Sequence, residues 1–216
     1  MKAAHPISAN PANSIVVVCN MQNDFCKPGG AIFDERLPEE MPGVIDATRD
    51  VTQRARKAGV PIIHLRSVRN LDEPEFTVYA HQPYVKHGTW GAEIIDELKP
   101  EPEDLVIDVG GLSPFYETRL DYLLQGMVET PTANHVIIAG GDIGGFTFVA
   151  ATDFYMRGYW TVALIDALYG DEEGRDFALN GRFSADSQKN MFLTRSGLVT
   201  FSAMPAPGVA GLVPGK

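Results

Sequence analysis

The chain has 216 residues, 44% hydrophobic and 21% charged, with a formal net charge of -10, which suits one soluble domain with one core. Its acidity and its lack of a basic run argue against nucleic acid, which needs clustered Lys and Arg, and against docking on anionic membranes. No apolar run approaches the roughly 20 residues of a membrane span, Met1 to Asn13 lacks a signal-like apolar stretch, and Cys19 and Cys26 are too few for a disulfide framework, so a reducing, cytoplasmic location is expected.

Ile15 to Cys19 is a continuous β-branched run, as in a strand buried on both faces. Gln22 to Ala31 reads as a polar, Gly-rich loop. Val44, Ala47, Val51, Ala55 and Ala58 recur at helical spacing before Gly59. Pro61 to Leu65 is the second strand, and Arg66 to Trp90 has no clean period and reads as a long loop. A third strand, Asp104 to Val109, follows the breakers Pro100 and Pro102. Leu120, Leu123 and Leu124 mark a helix, and His135 to Ala139 is the fourth strand. Gly140 to Gly145 is a glycine-rich turn that opens a helix over Phe146 to Arg157. Trp160 to Ile165 is the fifth strand. A helix between Glu172 and Phe192, broken near Gly181, and a short strand at Leu198 to Phe201 complete the pattern. This alternation predicts a single-domain α/β fold, a parallel sheet between two helical layers. The division is an N-terminal arm over 1–13, the domain over 14–204, and a Pro/Gly-rich flexible tail over 205–216. In such sheets ligands bind beyond the carboxyl ends of the strands.

Val18-Cys19-Asn20-Met21-Gln22-Asn23-Asp24-Phe25, followed by Pro28-Gly29-Gly30, resembles the opening motif of the isochorismatase-like cysteine hydrolases. His87 to Ile94 resembles their Gly-Thr-Trp-Gly-Ala-Glu segment. Asp104 to Ile107 with Ser113-Pro114-Phe115, and then Thr118 to Leu124, resemble the strand, turn and helix around the family's lysine. Ile138 to Tyr159 and Val162 to Ala167 resemble the region around its cysteine. The likeness runs from Ile15 to Ala167, in the right order, and looks nearest to the biuret and N-carbamoyl amide hydrolases.

The resemblance implies the isochorismatase-like three-layer fold and a chemistry built on three groups. A cysteine attacks a carbonyl, an aspartate moves its proton, a lysine keeps the array cationic, and backbone N–H groups bind the oxyanion. The aspartate position is occupied by Asn20, the lysine position by Val109 and the cysteine position by Phe146; an offset of one would put Gly145 or Thr147 there. An amide has no useful basicity, valine no charge and phenylalanine no nucleophile.

Other residues compete for a role. Cys19 reads as a core residue and Cys26 as a loop residue without an assigned base. Asp24 and Asp142 are the candidate relocated acid–base groups; a buried carboxylate over the pocket would have a raised pKa, whereas a plain turn would use either as a hydrogen-bond acceptor. Asn20, Gln22, Trp90, Phe115, Gly141, Gly144, Gly145 and Phe146 are the candidate ligand-binding residues, with core filling as the plain alternative for the aromatics. His64 ends the second strand, near where some relatives hold a metal, but Ile62 stands in the partner Asp position. His81 and His87 lie in the long loop, and no metal or cofactor is expected. Two readings follow: a protein without thiol amidase activity, acting as small-molecule binder or supporting subunit, or a hydrolase or lyase with relocated acid–base groups. By resemblance the chain is expected to form a homo-oligomer, dimer or tetramer, or a hetero-oligomer with an intact paralogue.

Overall fold

Runs of β-branched and aliphatic residues build the centre of the molecule. A computed structural model describes residues 4–33, 39–70, 72–73, 77, 83–127, 135–182 and 191–202. Its strands are β1 (Ile7–Ala9), β2 (Ser14–Cys19), β3 (Ile62–Ser67), β4 (Leu105–Val109), β5 (His135–Gly140), β6 (Trp160–Leu168), β7 (Met191–Thr194) and β8 (Val199–Phe201). Its α-helices are α1 (Asn23–Cys26), α2 (Met41–Lys57), α3 (Leu120–Met127), α4 (Phe146–Met156) and α5 (Glu172–Arg175). The main sheet, all parallel, has the order β4-β3-β2-β5-β6-β7, and β1 pairs with β8 in a separate two-stranded ribbon.

Alternation along each strand makes two cores. Val16, Val18, Ile62, Ile137 and Leu164 face α2, whose Met41, Val44, Ile45, Val51 and Ala55 fall on one side at helical spacing. Ile15, Val17, Ile63, Ile107, Ile138 and Ala163 face α3 and α4, meeting Leu120, Leu124, Ala150 and Phe154. Strand order reverses between β2 and β5, so the crevice beyond their carboxyl ends is the topological switch point. Gly140 sits there with φ +95°, and a Cβ on it would strike the Cys19 carbonyl. Only glycine fits that approach.

Several predicted elements are redrawn. The loop expected over Gln22 to Ala31 contains the single-turn α1. The N-terminal arm supplies β1, which three residues cannot signal by periodicity. The helix expected between Glu172 and Phe192 is α5 followed by a wide helical turn over Asp176–Arg182, while Met191 and Phe192 belong to β7. The last strand pairs with β1 rather than the main sheet. Within the predicted long loop, Arg69 bridges Lys86; His81 and the tail over 205–216 lie outside the described residues. Among the described residues no helix is long and apolar enough to cross a membrane.

His64 lies inside β3 rather than at its end. Its Nε2 lies 3.3 Å from Asp104 Oδ2, and Arg56 of α2 donates to the same carboxylate at 2.5 Å. The Asp104 side chain is 4% exposed. Burial raises its pKa, but hydrogen bonds from His64, Arg56 and the Glu101 N–H outweigh that and hold the carboxyl well below the usual carboxylate range. A depressed folded pKa stabilises the protein above the unfolded value, and that contribution is lost as pH falls through the folded value. Asp104→Ala should therefore lower stability by about 2 kcal/mol at neutral pH, since it removes the buried anion that His64 and Arg56 share and leaves Arg56 only Glu101 at 3.5 Å. Denaturant titrations should show the gap to wild type narrowing below about pH 4, where the unfolded carboxyl takes up its proton.

Candidate active site

The opening motif folds as a hub of amides. Asn20 ends the first central strand in the left-handed region, φ +48°, which Asn tolerates better than most side chains. Its Oδ1 accepts from the Ser67 N–H at 3.1 Å and the Ser67 hydroxyl at 2.9 Å. Gln22 is fully buried. Its Nε2 donates to the carbonyls of Ser67 (2.7 Å) and Ala92 (2.8 Å), and its Oε1 accepts from the Ser67 N–H. Asn23 donates from Nδ2 to the Trp90 carbonyl at 2.7 Å. The end of β3 and the Trp90–Ala92 segment are thereby tied to one four-residue stretch.

Asp24 completes the hub. It is buried, and its two carboxylate oxygens accept from the backbone N–H groups of Ala31 (3.0 Å) and Val85 (2.6 Å). Gly91 packs so closely that a Cβ there would overlap the carboxylate. Asp142 lies on another element, the turn after β5. It is half-buried, its Oδ1 accepts from the Gly144 N–H at 3.0 Å, and its neighbours are Gly144, Gly145 and Gly170. The two carboxylates thus serve separate loops.

Val109 and Phe146 are both buried on the side of the sheet covered by α3 and α4. Val109 ends β4 and is fully buried; Phe146 opens α4 and is 4% exposed. Both belong to the same apolar cluster as Cys19, Phe115 and Ile143. Ser67, which holds Asn20, is paired in register with Val109. Phe115 packs edge-on against Phe154, and the Arg157 guanidinium lies 3.6 Å over its ring. Trp90 alone of the proposed aromatic ligand residues stays open, at 51% exposure.

Several N–H groups of the glycine-rich turn donate within the chain. The Gly141 N–H donates to Cys19 and that of Ile143 to Tyr169, both to carbonyls. Gly145 and Thr147 donate to the Asp142 carbonyl at 3.3 and 2.9 Å. Tyr169, which sequence reasoning missed, is the wedge of this region. It is fully buried, its hydroxyl donates to the Asn20 carbonyl at 2.8 Å, and its ring fills the space where Gly141 lacks a Cβ. Gly141 was the only sequence signal for it. Gly144 makes a similarly close approach to Gly174.

The family model for the isochorismatase domain matches residues 14–187. The chain belongs to the isochorismatase family. It is similar to the ureidoacrylate amidohydrolase RutB of Methylobacterium radiotolerans, 25% identical over 197 residues that cover 76% of this chain and 70% of that one. Among solved structures, N-carbamoylsarcosine amidase from Thermoplasma acidophilum is 24% identical with a TM-score of 0.67, covering 85% of this chain and 96% of its own. Nicotinamidase PncA from Bacillus subtilis is 20% identical with a TM-score of 0.72, covering 85% and 99%. These structural likenesses establish the shared three-layer fold.

For an isochorismatase-family chain, the state of the thiols matters most. Burial pushes Cys19 up to about 12, against a smaller lowering by the Thr147 hydroxyl. Burial also pushes Cys26 up to about 12, with Lys27 opposing only in part. His87 is exposed, and among the described residues no three His, Cys, Asp or Glu gather as a metal site. At pH 8 a thiol of pKa about 12 is thiolate in about one molecule in ten thousand. Iodoacetamide should label neither cysteine quickly in the folded protein and both in denaturant, as peptide mass mapping would read. Fast labelling of native Cys26 would contradict this geometry.

Proposed function

We propose that this chain is an isochorismatase-family protein without thiol amidase activity, acting as a binding or supporting subunit. The observation that carries the reading is Phe146 at the first turn of α4, buried against the Val109 cluster, where the family resemblance assigns the nucleophile and the lysine. A ring at that position supplies no nucleophile, and Asn20 accepts hydrogen bonds from Ser67 rather than serving as a base. The turn that would bind an oxyanion has Gly141, Ile143, Gly144, Gly145 and Thr147 N–H groups already donating within the chain. Asp24 uses both carboxylate oxygens on loop N–H groups. That supports the non-catalytic reading over one with relocated acid–base groups.

The similar proteins named above act on ureido and carbamoyl amides and on nicotinamide, so those are the compounds to test. Incubation with ureidoacrylate, N-carbamoylsarcosine or nicotinamide should give no product, and mass spectrometry no acyl adduct on Cys19 or Cys26. An acyl–Cys26 adduct would overturn the proposal.

A partner is part of the same reading. Tyr122 of α3, Met156 of α4 and Phe177 are exposed. The outward side of α2 on the opposite face carries Asp46, Arg49, Asp50 and Arg54. Exposed large apolar side chains are candidates for an interaction surface. The chain should form a homo-oligomer, or join an intact paralogue. Light scattering that shows only monomer at micromolar concentration, with and without a family amidase present, would count against it.

A further inference from the structure

The carboxyl edge of the sheet extends past the switch point between β2 and β5. Beyond the carboxyl ends of β6 and β7 lies a cleft of about 480 Å³, within the range of small-molecule pockets. Its walls include Val44 and Ala47 of α2 and Ile165 and Leu168 of β6. Two of its charged groups are held in place by the protein. Arg175 donates from Nη1 to Glu40 at 2.8 Å and to the Leu168 carbonyl at 3.1 Å. Asp166 accepts from the Ser196 N–H and hydroxyl, each at 2.8 Å. Arg195, directly after β7, lines the same cleft, and among the described residues no carboxylate pairs with it.

We propose that this cleft binds a small monocarboxylate with an apolar body. A guanidinium is a planar fork of donors that matches a carboxylate, so Arg195 takes the acid group. The hydrocarbon part lies between Ala47 and Leu168, where water is cheaply displaced from apolar walls. Glu39 and Asp166 line the same cleft. They face any second acidic group on the ligand, which selects for one carboxylate and against two. The small side chain of Ala47 leaves the room that an aromatic or branched body needs. The site lies apart from Phe146 and does not depend on whether that region performs chemistry.

Titration of the isotope-labelled full chain with phenylacetate, phenylacetamide and phenylsuccinate, read from backbone amide shifts, tests it. Phenylacetate should give saturable shifts at Gly43, Ala47 and Leu168, with a Kd on the order of 1 mM. Phenylacetamide and phenylsuccinate should bind roughly tenfold more weakly. Arg195→Gln, at an exposed position, should weaken phenylacetate roughly tenfold with an unchanged Tm. Ala47→Trp should abolish the shifts by filling the cleft, and the remaining spectrum reports that variant's fold. Equal binding of acid and amide, phenylacetate binding undiminished in Arg195→Gln, or no saturable shift at all would overturn the proposal.

Discussion

The Gln22 carboxamide is the constraint on which the carboxyl edge of this molecule depends. It is buried, so each of its hydrogen-bonding groups needs a partner inside the protein. The partners are the backbone of Ser67 and Ala92, on segments far apart in sequence. An unpaired buried amide costs about 1–3 kcal/mol per lost group, so the three segments cannot move independently. Asp24 extends the same lock to Ala31 and Val85. The position of Asn20, and through its carbonyl that of Tyr169, follows from this hub.

Around that hub the structure packs apolar volume. Val109, Phe146, Ile143 and Phe115 share one apolar cluster at the switch point. Tyr169 closes it from the α2 side, where its ring packs with the other core. A tightly packed interior gains dispersion contacts and excludes water. The raised thiol pKa values of Cys19 and Cys26 follow from the same burial. The fold is that of a hydrolase family, whereas the chemistry of a site depends on the particular residues it holds.

Much of the fold is legible in the residues. Ile15 to Cys19 reads as a doubly buried strand because Val, Ile and Cys leave it no polar face. The apolar spacing of α2 follows from Val44 through Ala55. Met191 to Thr194 is not legible as a strand, because four residues fit a helical or extended period equally well. The role of His64 is hidden for another reason. The pleat turns it toward α2, and its partners Asp104 and Arg56 meet it only in three dimensions. Of the candidate site, Asn20, Val109 and Phe146 are singled out by motif position alone, whereas the hydrogen bonds made by the turn's N–H groups are not legible in the sequence. Hydrogen-bond partners such as Cys19 and Tyr169 depend on how strands and loops meet, which spacing along the chain does not reveal.

The packing of Phe146 also constrains the order in which this sequence can change. A thiol at that position removes most of a buried ring, and truncations of buried aromatics cost about 3–5 kcal/mol when neighbours cannot collapse into the gap. Val109 and the wedge of Tyr169 belong to a scaffold pinned by backbone hydrogen bonds, which limits such collapse. Proteins have only about 5–15 kcal/mol of stability in total. A lineage moving from Phe146 toward a nucleophile must therefore first acquire compensating changes elsewhere, while substitutions at the exposed Trp90 carry no such prerequisite. The site is historically contingent: its next accessible states are set by which neighbour moves first.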